Sequence, residues 1–172
     1  MESKPELRRR MKGVCSAVVD VESRSAVLWD RLASTEAYRA AATVMAFVSM
    51  PGEPQTGPLL ERIVTDGKRL VLPRIVGDRL EAALRGERLV PGSLRIPAPT
   101  GDAVEPRTID LVVVPGVAFT ERGERLGHGK AYYDRFLPTT SAVTIGVCFA
   151  EQIVGSLPLE PHDRLLDNVL AC

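Results

Sequence analysis

A series of short, nearly unbroken apolar runs most constrains the fold of this chain. They are Thr43–Ser49, Leu111–Val114, Ala142–Phe149 and Asn168–Ala171. The first exits at Pro51-Gly52 and the second at Pro115-Gly116. Runs of this length, bounded by turn residues, read as strands buried on both faces. Between and before them lie stretches of helical periodicity. Leu7, Met11, Val14, Cys15 and Val18 share one helix face, with Pro5 near its start. Ser25–Leu32 also reads as helix, and Ser34 or Thr35 with Glu36 marks a fresh helix start before Tyr38. Leu59, Leu60, Ile63 and Val64 repeat helically, and Gly67 caps that helix. Arg69–Leu72 is expected as a strand ended by Pro73. Gly77 to Asp110 is the least regular third, with Leu94–Ile96 a candidate strand. The expected fold is an α/β three-layer sandwich: a mostly parallel central sheet flanked by helices, in a single domain over residues 1–172.

Charge and cysteine content narrow the partners. Lys plus Arg and Asp plus Glu number 22 each, so the formal net charge is zero. That balance points neither to nucleic acid nor to an anionic membrane, which attract basic chains. The three cysteines, Cys15, Cys148 and Cys172, are too widely spaced for a disulfide framework or a zinc pattern, and a reducing compartment fits. No apolar run approaches the roughly 20 residues that span a bilayer. The charged N-terminus has no adjoining apolar stretch of signal-peptide length. A soluble, cytoplasmic monomer is expected, with no nucleic-acid or membrane partner.

The richest chemistry lies in PGVAFTERGERLGHGKAYYDRFL, residues 115–137, directly after a buried strand. In an open α/β sheet, ligands bind beyond the carboxyl ends of the strands. Gly127 and Gly129 let backbone N–H groups approach phosphate oxygens, and Lys130 adds a cation. A helix opening at Ala131–Leu137 would add a favourable N-terminus, and Asp134 would suit Mg²⁺ beside phosphates. The spacing is neither a P-loop nor a dinucleotide fingerprint. By spacing alone, a tight turn with a surface lysine stands level with a phosphate site.

The string RLGHGKAYYDRFL, preceded by PGVAF, resembles the signature of the 5-formyltetrahydrofolate cyclo-ligase family. The resemblance runs through Lys4 with Leu7-Arg8, Glu53 with Thr56, and Gly67-Lys68 followed by Val71-Leu72-Pro73. It continues through Ile145-Gly146, Phe149, Gln152, Leu157-Pro158, Glu160 and His162-Asp163. Two departures stand out. Ala131 replaces the third glycine of the family loop. Leu94-Arg95-Ile96-Pro97 lacks the glutamate of an Ile-x-Glu-Pro element, and Gly77–Ala98 holds no aromatic residue.

The resemblance implies an enzyme that converts 5-formyltetrahydrofolate and ATP, with Mg²⁺, to 5,10-methenyltetrahydrofolate, ADP and phosphate. It implies nucleotide contacts from Lys4, Arg8, Arg125, Leu126, Gly127, His128, Gly129, Lys130, Ala131, Tyr132 and Tyr133. Folate contacts would come from Val48, Glu53, His128, Gly129, Lys130 and Tyr132, with Lys130 and Tyr132 closest to the reaction. Met50 would join Val48 as an apolar wall. Asp134 and Asp163 would hold the metal. Of Tyr132 and Tyr133, one is expected to face the site and the other the core. His162 reads as a packing residue. Three rival readings remain at this point: a folate- or nucleotide-binding paralogue with little turnover, a ligase acting on another formylated amine, and a sugar-phosphate isomerase on a similar sheet. ATP dependence would exclude the last.

Overall fold

The computed structural model describes residues 2–158, 160 and 163–172, with Leu94 described for its backbone only. Three helices come first: α1 (Lys4–Ser16), α2 (Val21–Ala33) and α3 (Glu36–Ala40). Helix α1 ends before Val18, which therefore leaves the predicted apolar face, and Asp20 takes a left-handed φ of 55° at the break. Thr35 caps α3: its Oγ1 accepts from the Tyr38 N–H at 3.2 Å.

The predicted alternation of strands and helices follows. Strand β1 (Thr43–Met45) leads through α4 (Gly57–Thr65) to β2 (Arg69–Val76). Gly67, with φ of 74°, closes α4 as expected: its N–H donates to Val64 O and that of Lys68 to Ile63 O. Strand β3 (Arg79–Leu84) forms a hairpin with β2, and β4 (Leu89–Pro91) forms another with β5 (Pro97–Pro99). Then come β6 (Leu111–Val114), the short pair β7 (Ala118–Phe119) and β8 (Arg125–Leu126), α5 (Tyr132–Phe136), β9 (Val143–Cys148) and β10 (Asn168–Ala171). The six-stranded sheet has the order β10-β9-β6-β1-β2-β3, and only β2–β3 is antiparallel. The expected α/β architecture with a mostly parallel sheet is the one observed.

Three local expectations are corrected. Strand β1 stops at Met45 rather than Ser49, so Phe47 to Met50 peel away from the sheet. Pro73 does not end β2. Its partner Ala82 turns its carbonyl away from β2 to accept from the Val104 N–H, so Pro73 occupies a position where the β2–β3 ladder needs no donor. The candidate strand Leu94–Ile96 is instead a 3₁₀ turn, Ser93–Arg95, in which Arg95 takes φ of 61°.

Alternation along the buried strands divides the core into two layers. Val44, Leu70, Leu111, Val113, Ile145 and Val147 pack under α2, α3 and α4. Met45, Val71, Val112, Val114 and Cys148 face α5 and Phe119. A third cluster packs Leu7 and Met11 of α1 on Val117, Ala118 and Leu126, which places the first helix over the β7–β8 hairpin.

The chain leaving β6 is held by one buried amide. Gln152, 1% exposed, accepts from the Phe149 N–H through Oε1 and donates through Nε2 to the carbonyls of Gly116 and Val117. Gln152→Leu would strand those groups away from water. The expected loss is about 2–4 kcal/mol of stability, measured by urea unfolding.

Candidate active site

Beyond the carboxyl ends of β1 and β6 lies a cleft with a void of about 930 Å³, including its open mouth. This is the place an open parallel sheet reserves for ligands. Three walls enclose it.

The first wall is the turn after β1. Ser49 and Thr56 clasp its base: the Ser49 N–H donates to Thr56 Oγ1 at 2.9 Å and the Thr56 N–H to Ser49 Oγ at 3.1 Å. Trp29 Nε1 donates to Gln55 O, and the Gln55 N–H donates to Ser25 Oγ. The clasp turns Glu53 inward until it is 6% exposed, where Oε2 accepts from the Met50 N–H at 2.9 Å. Its other oxygen, Oε1, lies 3.1 Å from His128 Nε2. Phe47, Val48 and Met50 supply apolar surface beside it.

The second wall is the glycine loop. Arg125 anchors it from below, with a side chain only 5% exposed. Its guanidinium donates to Pro115 O at 3.1 Å and to Asp134 Oδ1 at 2.5 Å, and it lies over the Tyr133 ring. Arg8 Nε donates to Gly127 O at 2.8 Å from α1. Gly129 adopts φ of 97°, where glycine is strongly favoured, and Ala131 is forced to φ of 54° at the entrance to α5. His128, Gly129 and Lys130 are exposed at the rim.

The third wall comes from the middle of the chain. Pro73, Arg74 and Ile75 of β2 line it with Leu80 of β3 and Ile96, Pro97 and Ala98 at the β4–β5 hairpin.

Two groups are perturbed by these surroundings. Burial pushes the Tyr133 phenol up, the Glu53 carboxylate adds to that, and Arg125 opposes it. The Tyr133 hydroxyl is sealed from solvent and makes no hydrogen bond among the described residues. For Lys4, burial works against the charge, yet hydrogen bonds to Asp163 at 2.8 Å and Glu160 at 2.6 Å prevail and hold it above the ordinary lysine value.

The sequence pattern of the 5-formyltetrahydrofolate cyclo-ligase family matches residues 1–172. The chain belongs to that family. The 5-formyltetrahydrofolate cyclo-ligase of Saccharomyces cerevisiae is 29% identical over 205 aligned positions, covering 99% of this chain and 95% of the yeast protein. The Escherichia coli K12 cyclo-ligase is 34% identical over 139 positions, covering 74% of this chain and 76% of its own. Among solved structures, the 5,10-methenyltetrahydrofolate synthetase of Aquifex aeolicus superimposes with a TM-score of 0.89 at 28% identity, covering 98% of this chain and 89% of that one.

Against this cyclo-ligase fold, the residues expected from the sequence divide into groups. Val48, Glu53, Arg125, Gly127, His128, Lys130, Ala131, Tyr132, Tyr133 and Asp134 all line the cleft. Arg8 reaches it through the Gly127 carbonyl and lies beside Gly129. Leu126 is 2% exposed and belongs to the core under α1, so its side chain serves the loop as an anchor. Lys4 is engaged with Asp163 and Asp134 with Arg125. Among the described residues no group of three or more His, Cys, Asp or Glu side chains forms a ready cation site. His162 lies outside the described residues. Of the two tyrosines, Tyr133 is the one that reaches the core, while both residues border the cleft. Tyr132 carries the Arg135 guanidinium 5.6 Å from its ring centre, while Tyr133 also packs against the second core layer.

No residue of the third wall was among the site residues expected from the sequence. Its signal was Gly77-Asp78, a two-residue link of the type that closes hairpins, with Gly77 at φ of 61° and Val76 paired to Arg79.

Two site substitutions are expected to stabilise the free protein. Ala131→Gly relieves left-handed strain of about 1–2 kcal/mol, offset by about 0.4–1 kcal/mol from the freer unfolded chain. The net gain is on the order of 0.5 kcal/mol by the same balance. Tyr133→Phe removes a buried hydroxyl without a partner among the described residues and should gain about 1 kcal/mol. Thermal unfolding of both variants without ligand checks these signs.

Proposed function

We propose that this cyclo-ligase family member closes 5-formyltetrahydrofolate to 5,10-methenyltetrahydrofolate at the expense of ATP and with Mg²⁺. The observation that carries the reading is a buried carboxylate facing a cationic glycine loop across one apolar cleft. Glu53 offers acceptors where a pterin ring presents adjacent N–H donors. Its 6% exposure makes an unmatched ligand costly there. Val48, Met50, Phe47 and the tyrosine rings suit the flat faces of the ring system.

The chemistry asks for alignment and charge more than for a protein nucleophile. The formyl oxygen attacks the γ-phosphorus of ATP and the bond to ADP breaks. N10 then attacks the formyl carbon, its proton departs, and the C–O bond breaks with release of phosphate. Lys130 and the Gly127–Gly129 amides, open at the rim, would meet the phosphate charge, with Arg8 behind them. Tyr132 would orient the formyl group. Magnesium ions are held by one or two carboxylates together with phosphate oxygens. Asp134 fits that role: it lines the cleft, is 24% exposed, and spends one oxygen on Arg125. Asp163, gathered with Lys4, would be the second such carboxylate. The ion would neutralise charge on the phosphates.

Mixing the protein with 5-formyltetrahydrofolate, ATP and Mg²⁺ should produce the near-ultraviolet absorbance of the methenyl product, and omitting ATP should abolish it. Lys130→Ala should lower turnover on the order of 10²-fold or more without changing the melting temperature. Absent product with ATP binding intact would move the assignment to a ligase acting on another formylated amine.

A further inference from the structure

Three cations line the cleft among the described residues, apart from His128: Arg74, Arg125 and Lys130. Two are accounted for. Arg125 is buried under the glycine loop on Pro115 and Asp134, and Lys130 stands at the phosphate rim. Arg74 belongs to neither place. It sits in the third wall, next to the aliphatic side chains of Ile75, Leu80, Ile96 and Ala98. Its side chain is 26% exposed, and its plane is fixed by two bonds: Nε donates to Glu81 Oε2 at 2.6 Å and Nη1 to Gly101 O at 2.9 Å. Nη2 makes no hydrogen bond among the described residues. A guanidinium pinned on two sides, with one nitrogen unspent in an apolar wall, is prepared for a carboxylate joined to an aromatic group.

We infer that Arg74 is the subsite for the glutamyl carboxylate of the substrate, with the aliphatic wall around it taking the aminobenzoyl ring. This rests on the folate reading of the cleft. It gives the substrate one orientation: pterin at Glu53, aryl ring along β2–β3 and the β4–β5 hairpin, carboxylate on Arg74. Glu81 has two effects. It orients the guanidinium, and its negative charge opposes a second carboxylate nearby.

The test is equilibrium binding without ATP of two compounds, 5-formyltetrahydrofolate and 5-formyltetrahydropteroate, which lacks the glutamyl group. Arg74→Met should weaken the first by about 10- to 100-fold, the range of a charge-assisted hydrogen bond to a carboxylate, and the second by less than about 2-fold on the same scale. Arg74→Lys should fall between Met and wild type, because it keeps the charge and loses the fork. Glu81→Gln keeps the shape of the pair and removes the opposing charge, so it should tighten the glutamyl compound alone; it carries the test if Arg74→Met is poorly folded. Equal weakening of both compounds by Arg74→Met would make Arg74 a structural residue of the hairpin and overturn the assignment. So would unchanged binding of both, or an equal response of both to Glu81→Gln. Wild-type protein that binds neither compound would instead overturn the folate reading itself.

Discussion

The site depends on a single buried guanidinium. Arg125 joins the exit of β6, through Pro115 O, to the first turn of α5, through Asp134, and covers the Tyr133 ring. Its side chain is almost wholly removed from water, and those partners offset the cost of burying its charge. The exposed residues from His128 to Lys130 are bounded by this anchor on one side and by α5 on the other. Helix α1 adds a second anchor through Arg8 and the Gly127 carbonyl. A loop with glycines and no regular structure of its own thereby acquires a defined path.

The same region holds local strain and a polar group without a described partner. Ala131 occupies left-handed space, Gly129 lies further into it, and the Tyr133 hydroxyl is sealed without a partner among the described residues. Glu53, buried in an apolar wall, is met by His128 and the Met50 amide. Groups of this kind destabilise a free protein and persist where binding uses them. The remainder of the fold compensates through ordinary means: two apolar core layers on a parallel sheet, and a buried glutamine that satisfies three backbone groups.

Much of this was legible in the order of residues because it is local. The strand Leu111–Val114 coincides with its apolar run, since a strand buried on both faces needs nothing else, and the edge strand Asn168–Ala171 coincides with its own. Gly67 and Thr35 acted as caps through bonds that span five residues or fewer. Glu53 and Thr56 lie within one turn, so their spacing carried the clasp that buries the carboxylate. The glycine loop was recognisable for a similar reason: its chemistry is backbone chemistry, and glycine marks it.

What the sequence determined by itself is therefore the alternation of strands and helices, the turn that carries Glu53, the glycine loop after β6 and the family to which they belong. Tertiary structure alone decided which side chains meet. It braced Arg125 against Pro115 and Asp134, and it set Leu126 in the core. Arg74, Ile75, Leu80 and Ile96 became one wall only because β2 continues through Pro73 into a hairpin with β3. Those contacts join residues distant along the chain. Their energies come from desolvation and charge pairing at close range, which no periodicity in the sequence records.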